Sequence, residues 1–413
     1  MSASVKPVTA PAAPWLSIVG IGEDGIAGLG ENARKLIAGA GIVYGGKRHL
    51  ELAAELITGD ARPWPSPFET GIDALLALRG QPVCVLASGD PMFFGVGATL
   101  SRRLAPDEMR ILPAPSSFSL AAARLGWSLQ DTTCLSLHGR PLGLLRPHLH
   151  LGRKLLVLTS DGDGPSAIAA LMTGLGFGPS PLTVLEALSG PREQIRGTKA
   201  SSFALTGIDA LNVVAIEVAA SPDARILPLA PGLPDDWFEH DGQITKQTVR
   251  AATIAALAPR HGELLWDIGA GSGSISIEWM LRDPSLRAIA IEQDTTRAAR
   301  IRRNADALGV PGLEIVEGSA PAALAGLANP EAIFVGGGAS EPGVLETAID
   351  RLKPGGRLVV NAVTLETEVV LIARHAELDG SLIRISVEQA APVGSMTGWR
   401  PAMPVIQWTW VKP

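Results

Sequence analysis

The sequence predicts an α/β protein of more than one domain, and three observations predict it. The first is length: 413 residues exceed a single ordinary domain of roughly 100–200 residues. The second is a repeated alternation of short Val/Ile/Leu/Ala-rich runs with helical stretches, the pattern of sheets built from βα units. The third is that several apolar runs end in glycine-rich loops that open the next helix, where α/β sheets take their ligands. A hydrophobic content of 46% against 18% charged residues excludes a disordered chain, and 46 Gly with 32 Pro exclude a long coiled coil. Mean hydropathy is +0.24, yet no apolar run approaches the ~18 residues of a membrane span. Buried parallel strands account for the score.

Each element follows in order. Residues 1–14 are Ala/Pro/Ser-rich and lack the apolar core of a signal peptide. They read as a disordered tail on a cytoplasmic protein. A strand at 15–20 runs into Gly20-Ile-Gly-Glu-Asp-Gly25, a helix from Glu31 and a short strand at 41–44. Helices near 47–57 and 69–79 precede a fully buried strand at 81–87. The loop Ser88-Gly-Asp-Pro-Met-Phe-Phe-Gly95 opens another helix, which Asp90 could cap at Pro91. A strand at 110–114 closes a first lobe, 15–114. The second, 115–220, starts with Ser116-Ser117 at the head of an Ala/Leu-rich helix ending at Gly126. It continues with strands at 133–137, 154–159, 182–185 and 212–218 and a helix at 165–175. Residues 221–243, with three prolines near Pro228, suit an extended linker. The βα pattern restarts in 244–413. Helix 245–258 leads to strand 263–268, strand 287–292, helix 295–308, strands 313–317 and 332–335, helix 341–352, strand 356–361 and helix 365–377. Two consecutive strands, 382–387 and 405–410, break the alternation and predict a terminal antiparallel hairpin.

Charge narrows the partners. Residues 1–230 carry 19 basic and 19 acidic side chains, whereas 231–413 carry 16 and 22. Neither part has the basic excess of a nucleic-acid binder, so the expected partner is a small molecule, not nucleic acid or membrane. Cys84 and Cys134 are the two cysteines; with no CxxC pair they support neither zinc nor a disulfide. Asp161-Gly-Asp-Gly opens like a calcium loop, but Ser166 and Met172 occupy the positions that should be Gly and Glu. No metal is expected.

The strongest constellation is Asp267-Ile-Gly269-Ala270-Gly271-Ser272-Gly273, between a strand and a helix, with an acid, Glu292, ending the next strand. Glycines there allow a tight turn and close approach of a ligand to the backbone. No Gly-Lys-Ser/Thr follows, so this is not a P-loop. The pattern resembles motif I of the Rossmann-like S-adenosylmethionine methyltransferases. That resemblance implies that Asp267 and the 269–273 loop receive the methionine moiety, that Glu292 receives the ribose, and that Gly318, Ser319 and Ala320 flank the adenine. Thr245, before the first helix, joins this cofactor set.

The first half is read as one pattern. Gly20-Ile-Gly-Glu-Asp-Gly25, the 88–95 loop, Pro115-Ser-Ser-Phe-Ser-Leu-Ala-Ala-Ala-Arg-Leu-Gly126 and Ser136-Leu-His-Gly-Arg140 occur in that order. The order resembles the tetrapyrrole methylases, a two-lobed methyltransferase fold, with Glu23-Asp24 where Gly-Pro-Gly is common. By that resemblance Gly89, Asp90, Pro91, Ser116 and Ser117 hold S-adenosyl-L-methionine. The whole chain is then a two-lobed tetrapyrrole-methylase fold followed by a Rossmann-like methyltransferase domain with a mostly parallel seven-stranded sheet. Together with Pro234-Asp-Asp, Thr245-Lys, Gly318-Ser-Ala-Pro, Gly336-Gly-Gly338 and Asn361-Ala-Val-Thr-Leu-Glu, the two halves are similar to the bifunctional corrin-ring methyltransferases of cobalamin biosynthesis. The implied reaction methylates carbons 5 and 15 of a precorrin and decarboxylates its carbon-12 acetate. Gly336, Gly337, Gly338 and Asn361 would face this corrinoid substrate, and a homo-oligomer is implied. The alternative is an RNA or protein methyltransferase with an N-terminal recognition module. The acidity of 231–413 and the absence of an Asn-Pro-Pro-Tyr motif weigh against it.

Overall fold

The computed structural model describes residues 14–413; apart from Pro14, the expected tail lies outside the described residues. The chain forms two compact units. One comprises the described residues up to Arg140 together with His150–Arg225, the other Pro141–Leu149 together with Ile226–Pro413.

The first unit holds two five-stranded sheets. In the first sheet β1 (Leu16–Ile21), β2 (Ile42–Gly45), β3 (Asp60–Pro63), β4 (Val83–Ser88) and β5 (Met109–Leu112) are arranged in the order β3-β2-β4-β1-β5, all parallel. Leu16, Ile18, Val83 and Val85 face one core with Tyr44, Ile72 and Leu75. Val19, Ile21, Cys84 and Leu86 face another with Ile37 and Val43. A central parallel strand covered on both faces needs such an unbroken apolar run. The second sheet holds β6 (Thr132–Ser136), β7 (Lys154–Leu158), β8 (Pro181–Glu186), β9 (Gln194–Lys199) and β10 (Asn212–Glu217) in the order β6-β7-β10-β8-β9. Only β6 and β7 are parallel; the other neighbours are antiparallel.

The second unit holds β11 (Leu264–Ile268), β12 (Arg287–Glu292), β13 (Glu314–Glu317), β14 (Ala332–Val335), β15 (Arg357–Ala362), β16 (Ser381–Ile385), β17 (Glu388–Val393), β18 (Met396–Pro401) and β19 (Val405–Val411). Its seven-stranded sheet runs β13-β12-β11-β14-β15-β19-β16. The first five strands are parallel, and β19 is antiparallel to both its neighbours. The mostly parallel seven-stranded sheet is therefore as expected. The two terminal strands, β16 and β19, pair antiparallel as expected; β19 also inserts between β15 and β16, and the connection carries a hairpin of its own, β17–β18.

Three expectations change. The stretch from Ile226 is no free linker, because Leu227, Leu233 and Phe238 are buried among Ile254, Ile275 and Trp279. Residues 141–149, expected within the second lobe, group with the second unit. There Gly143 lies so close to the helix Thr295–Leu308 that a Cβ on it would stand 2.8 Å from the Asp306 carbonyl oxygen. The helix expected from Pro91 begins only at Val96. Asp90 closes a tight turn by accepting a hydrogen bond from the Met92 N–H at 2.9 Å, and Phe94 then adopts a left-handed φ of +58° that no helix continues.

Candidate active sites

In the second unit the parallel order of β13, β12, β11 and β14 brings four loops together at the carboxyl edge of the sheet, the edge where open α/β sheets bind ligands. Gly269, Gly271 and Gly273 have φ of +71°, +60° and +74°, which side chains rarely tolerate. Space excludes side chains as well. A Cβ on Gly273 would lie 2.7 Å from Ile301 Cγ2, and one on Gly269 would lie 3.0–3.1 Å from the backbone of Gly337. The Gly336 N–H donates to the Ile268 carbonyl at 3.0 Å, fixing the 336–338 loop beside the 269–273 loop.

The Glu292 carboxylate, 4% exposed, accepts from the N–H of Gly271 at 2.8 Å on Oε2 and from that of Asp294 at 3.0 Å on Oε1. Each oxygen keeps a lone pair for a further donor, which suits a ribose diol. The Gly318 N–H donates to the Glu292 carbonyl at 2.9 Å, so the β13 loop joins the same site; Ser319 beside it is exposed. Gln243, two residues before Thr245, has its carbonyl oxygen 3.7 Å from a Cβ built on Gly271. Asp267 is fully buried, and its Oδ2 accepts from the Ser276 N–H at 3.1 Å and the Ser276 hydroxyl at 2.7 Å. Burial pushes this carboxyl up to about 6, against the Ser276 bonds and with help from Glu292. Asp267 Oδ1 and the Ser272 hydroxyl are buried without a hydrogen-bond partner. Glycines that leave the backbone bare, an acid with spare lone pairs and unpartnered buried oxygens together fit S-adenosylmethionine.

Asn361, near the end of β15, is half-buried. Its amide nitrogen donates to Thr253 Oγ1 at 3.0 Å, and its oxygen accepts from Gln407 Nε2 at 3.0 Å. Both ends of the amide bond within the join between β15, β19 and the helix Gln247–Leu257.

The first unit contains a cleft of about 420 Å³ lined from both of its sheets. Gly89, Asp90, Ser116 and Ser117 line it; Pro91 does not, being buried with its carbonyl accepting from the Ala98 N–H. Gly89, at φ +54°, is held between the strand ends: a Cβ there would lie 2.8 Å from the Pro115 carbonyl oxygen. Ser116 caps the helix Ser117–Leu125, accepting from the Ser119 N–H at 3.1 Å. Phe93, Phe94 and Phe118 cluster on one wall with ring centroids 5.0–5.8 Å apart.

Two model families match the chain: Tetrapyrrole (Corrin/Porphyrin) Methylases over residues 16–204 and the Precorrin methyltransferase domain over 236–412. A Sinorhizobium sp protein named precorrin-6Y C(5,15)-methyltransferase [decarboxylating] is 64% identical over 399 residues, 97% of each chain. The chain belongs to the precorrin-6Y C(5,15)-methyltransferase (decarboxylating) family. Another precorrin-6Y C(5,15)-methyltransferase, from Mycobacterium tuberculosis, is 41% identical over 96% of this chain and 99% of its own. A shorter Salmonella typhimurium relative, named cobalt-precorrin-6B C(15)-methyltransferase (decarboxylating), is 31% identical over 39% of this chain and 85% of its own.

Two groups in this member of the precorrin-6Y C(5,15)-methyltransferase family escaped the sequence reading. One is a buried pair beneath the second site. Arg250 and Glu278, both 0% exposed, lie 2.6 Å apart. Glu278 accepts the N–H groups of Gly232 and Leu233, and Arg250 donates to the carbonyls of Leu233 and Thr245. The pair thus ties the stretch before Thr245 to the helix Ser274–Met280 that follows the glycine loop. The other is a cluster in the first cleft, Arg48, His49 and Ser88. Gly46-Lys-Arg-His offers no motif, and only the pairing of β2 with β4 brings it to Ser88.

Proposed function

We propose that the protein transfers two methyl groups from S-adenosylmethionine to carbons 5 and 15 of a precorrin and removes carbon dioxide from the carbon-12 acetate. The observation that carries this reading is the joining, in one chain, of two units that each present a glycine-held site and that match two methyltransferase families. The first unit would act on carbon 5, the second on carbon 15 and the acetate. The name of the shorter Salmonella relative, which has carbon-15 methylation with decarboxylation alone, supports that division.

S-adenosylmethionine supplies a methyl on an electrophilic sulfonium when bound. Gly89, Asp90, Ser116 and Ser117 would hold it in the first unit. In the second unit Asp267, the 269–273 loop, Glu292, Thr245 and the 318–320 loop would do so. Methyl transfer to an enamine-like ring carbon needs alignment and exclusion of water more than a strong base. The bare Gly336–Gly338 loop leaves room for a flat macrocycle beside the glycine loop. Decarboxylation needs an electron sink, which the conjugated imines of the ring provide, so no metal is required. A homo-oligomer is part of the reading, supported by exposed Val369, Ile372, Met396 and Trp399 and testable by light scattering, and so is a cytoplasmic location. Among the described residues no helix is long and apolar enough to cross a membrane.

The test is product analysis with methyl-labelled S-adenosylmethionine and the full chain. Two labelled methyls gained and one carbon dioxide lost per substrate are expected. Gly271→Arg should abolish the carbon-15 methyl and carbon dioxide release. Unlabelled product would overturn the reading.

A further inference from the structure

The cleft of the first unit holds a hydrogen-bonded cluster that cofactor binding alone does not require. Arg48 Nη2 donates to His49 Nε2 at 2.9 Å and to Ser88 Oγ at 3.0 Å, and His49 Nε2 and Ser88 Oγ are 2.8 Å apart. A guanidinium can only donate, so Nε2 must be an acceptor and Nδ1 carries the ring hydrogen. That Nδ1 is buried without a hydrogen-bond partner, and Ser88 Oγ–H shares the single Nε2 lone pair with Arg48. Of the two Ser88 Oγ lone pairs, one takes the Arg48 hydrogen and the other is left for the cleft, which Ser88 lines. Ser88 ends β4 directly before Gly89 and Asp90.

The surroundings hold His49 neutral. Burial and the adjacent Arg48 push the imidazole down to about 4. Arg48 itself is lowered by burial and by Arg192. It pairs with Glu23, which also pairs with Arg192 at 3.3 Å, and Arg192 pairs with Asp209. Asp90, next to Ser88, and His138, whose Nδ1 lies 3.2 Å from the Thr159 carbonyl, are the remaining titratable groups on the cleft wall. The Arg48 side chain is 33% exposed, enough for a substrate carboxylate to reach it.

We infer that Ser88 and His49 form the proton-accepting relay for methyl transfer in the first unit, with Arg48 docking a carboxylate of the substrate. The inference rests on reading that unit as the carbon-5 methylating one. The substrate carbon bonds to the methyl carbon as the methyl–sulfur bond breaks and sulfur keeps the electron pair. The carbon's hydrogen then leaves as a proton to Ser88 Oγ, the Ser88 proton passes to His49 Nε2, and the C–H pair restores the ring's conjugation. Net, one C–H becomes C–CH3 and one proton is released to solvent. A carboxylate seated on Arg48 draws its Nη2 hydrogen off the Nε2 lone pair and offsets its charge, the smaller cause beside burial that holds His49 neutral, so the relay is a better base once substrate is bound.

The test uses the full chain, its corrin substrate and carbon-13 methyl donor, with methylation at carbon 5 followed by NMR and carbon dioxide followed separately. Ser88→Ala and His49→Asn should each slow carbon-5 methylation by about 100-fold. The acid limb of the wild-type pH–rate profile should vanish in His49→Asn. Nitrogen-15 NMR of the ligand-free protein should show His49 as the neutral Nδ1–H form, with an apparent pKa that rises when substrate is added. Carbon-5 rates within twofold of wild type in both variants, or an unchanged acid limb in His49→Asn, would overturn the relay. Ser117→Trp, which fills the cleft, separates the two ideas. If it leaves the carbon-5 methyl intact, the assignment of the unit fails and the relay with it. If it removes that methyl while His49→Asn keeps it, only the relay fails.

Discussion

Gly269 and Gly337 meet backbone to backbone: a Cβ on the first would lie 3.0 Å from the amide nitrogen of the second. The contact sets how closely the β11 and β14 loops approach, and hence where a cofactor and a ring substrate would lie relative to each other. Gly269→Ala should cost about 1–2 kcal/mol for its left-handed backbone alone and weaken S-adenosylmethionine at the second unit at least tenfold. Gly337 has nothing within 4 Å of its own Cβ position. Gly337→Ala should leave stability within about 0.5 kcal/mol yet slow carbon-15 methylation by filling the room left for the macrocycle. Thermal unfolding and single-turnover rates check both.

The buried Arg250–Glu278 pair predicts an asymmetric double-mutant cycle. Arg250→Met strands a buried carboxylate and should cost about 3–5 kcal/mol. Glu278→Leu should cost less, because Asp235, 3.1 Å from Arg250, still pairs with the guanidinium. The double variant should recover part of the loss but not all, because the amides of Gly232 and Leu233 lose their acceptor. Denaturant unfolding of the four proteins measures the coupling.

Asp267 predicts a pH dependence whose sign is fixed by burial. Its folded value is raised to about 6, above that of the unfolded chain, so its contribution is fully present below about pH 4 and lost as pH rises through 6. The loss amounts to about 3 kcal/mol. Asp267→Asn does not titrate and keeps an acceptor for Ser276. Relative to wild type it should gain stability steadily between pH 4 and 7 and then level off. Taking the difference between the two proteins removes the opposite titration of His49, which costs stability as pH falls from about 6.5 towards 4.

Glu292→Gln removes the charge that takes the N–H groups of Gly271 and Asp294 and turns one oxygen into a donor facing a donor. S-adenosylmethionine affinity at the second unit should fall about 10- to 100-fold, while the first unit still binds. Calorimetric titration at moderate ligand concentration should register one site instead of two.

The interior of this fold is easier to read than its edges. β1, β4, β11, β12 and β14 are apolar runs bounded by glycines, and burial on both faces demands such composition. β3 and β9 went unread because edge strands carry polar and exposed residues such as Asp60, Arg62, Gln194 and Lys199. β19 reads clearly as a strand, but its place between β15 and β16 depends on pairings that chain order does not encode. The sites divide the same way. Gly269 to Gly273 and Glu292 are legible because the local turn and the next strand's end impose those residue types. The bonds of Asn361 are not, because one partner, Gln407, lies 46 positions away. His49 becomes meaningful only when β2 and β4 are laid side by side. Asp90 does bond to nearby backbone, but to a turn and not to a helix.

Residues 141–149 belong with the second unit although both flanking stretches belong to the first, so the polypeptide crosses between the units three times. One proteolytic nick between Arg225 and Ile226 would therefore cut the peptide without parting the products. The larger fragment would remain docked through residues 141–149, where Gly143 abuts Asp306 and Pro147 abuts Gly309, and the two pieces would travel together through gel filtration until a denaturant freed them. A gene divided at that point would yield a second half missing one of its own wall segments.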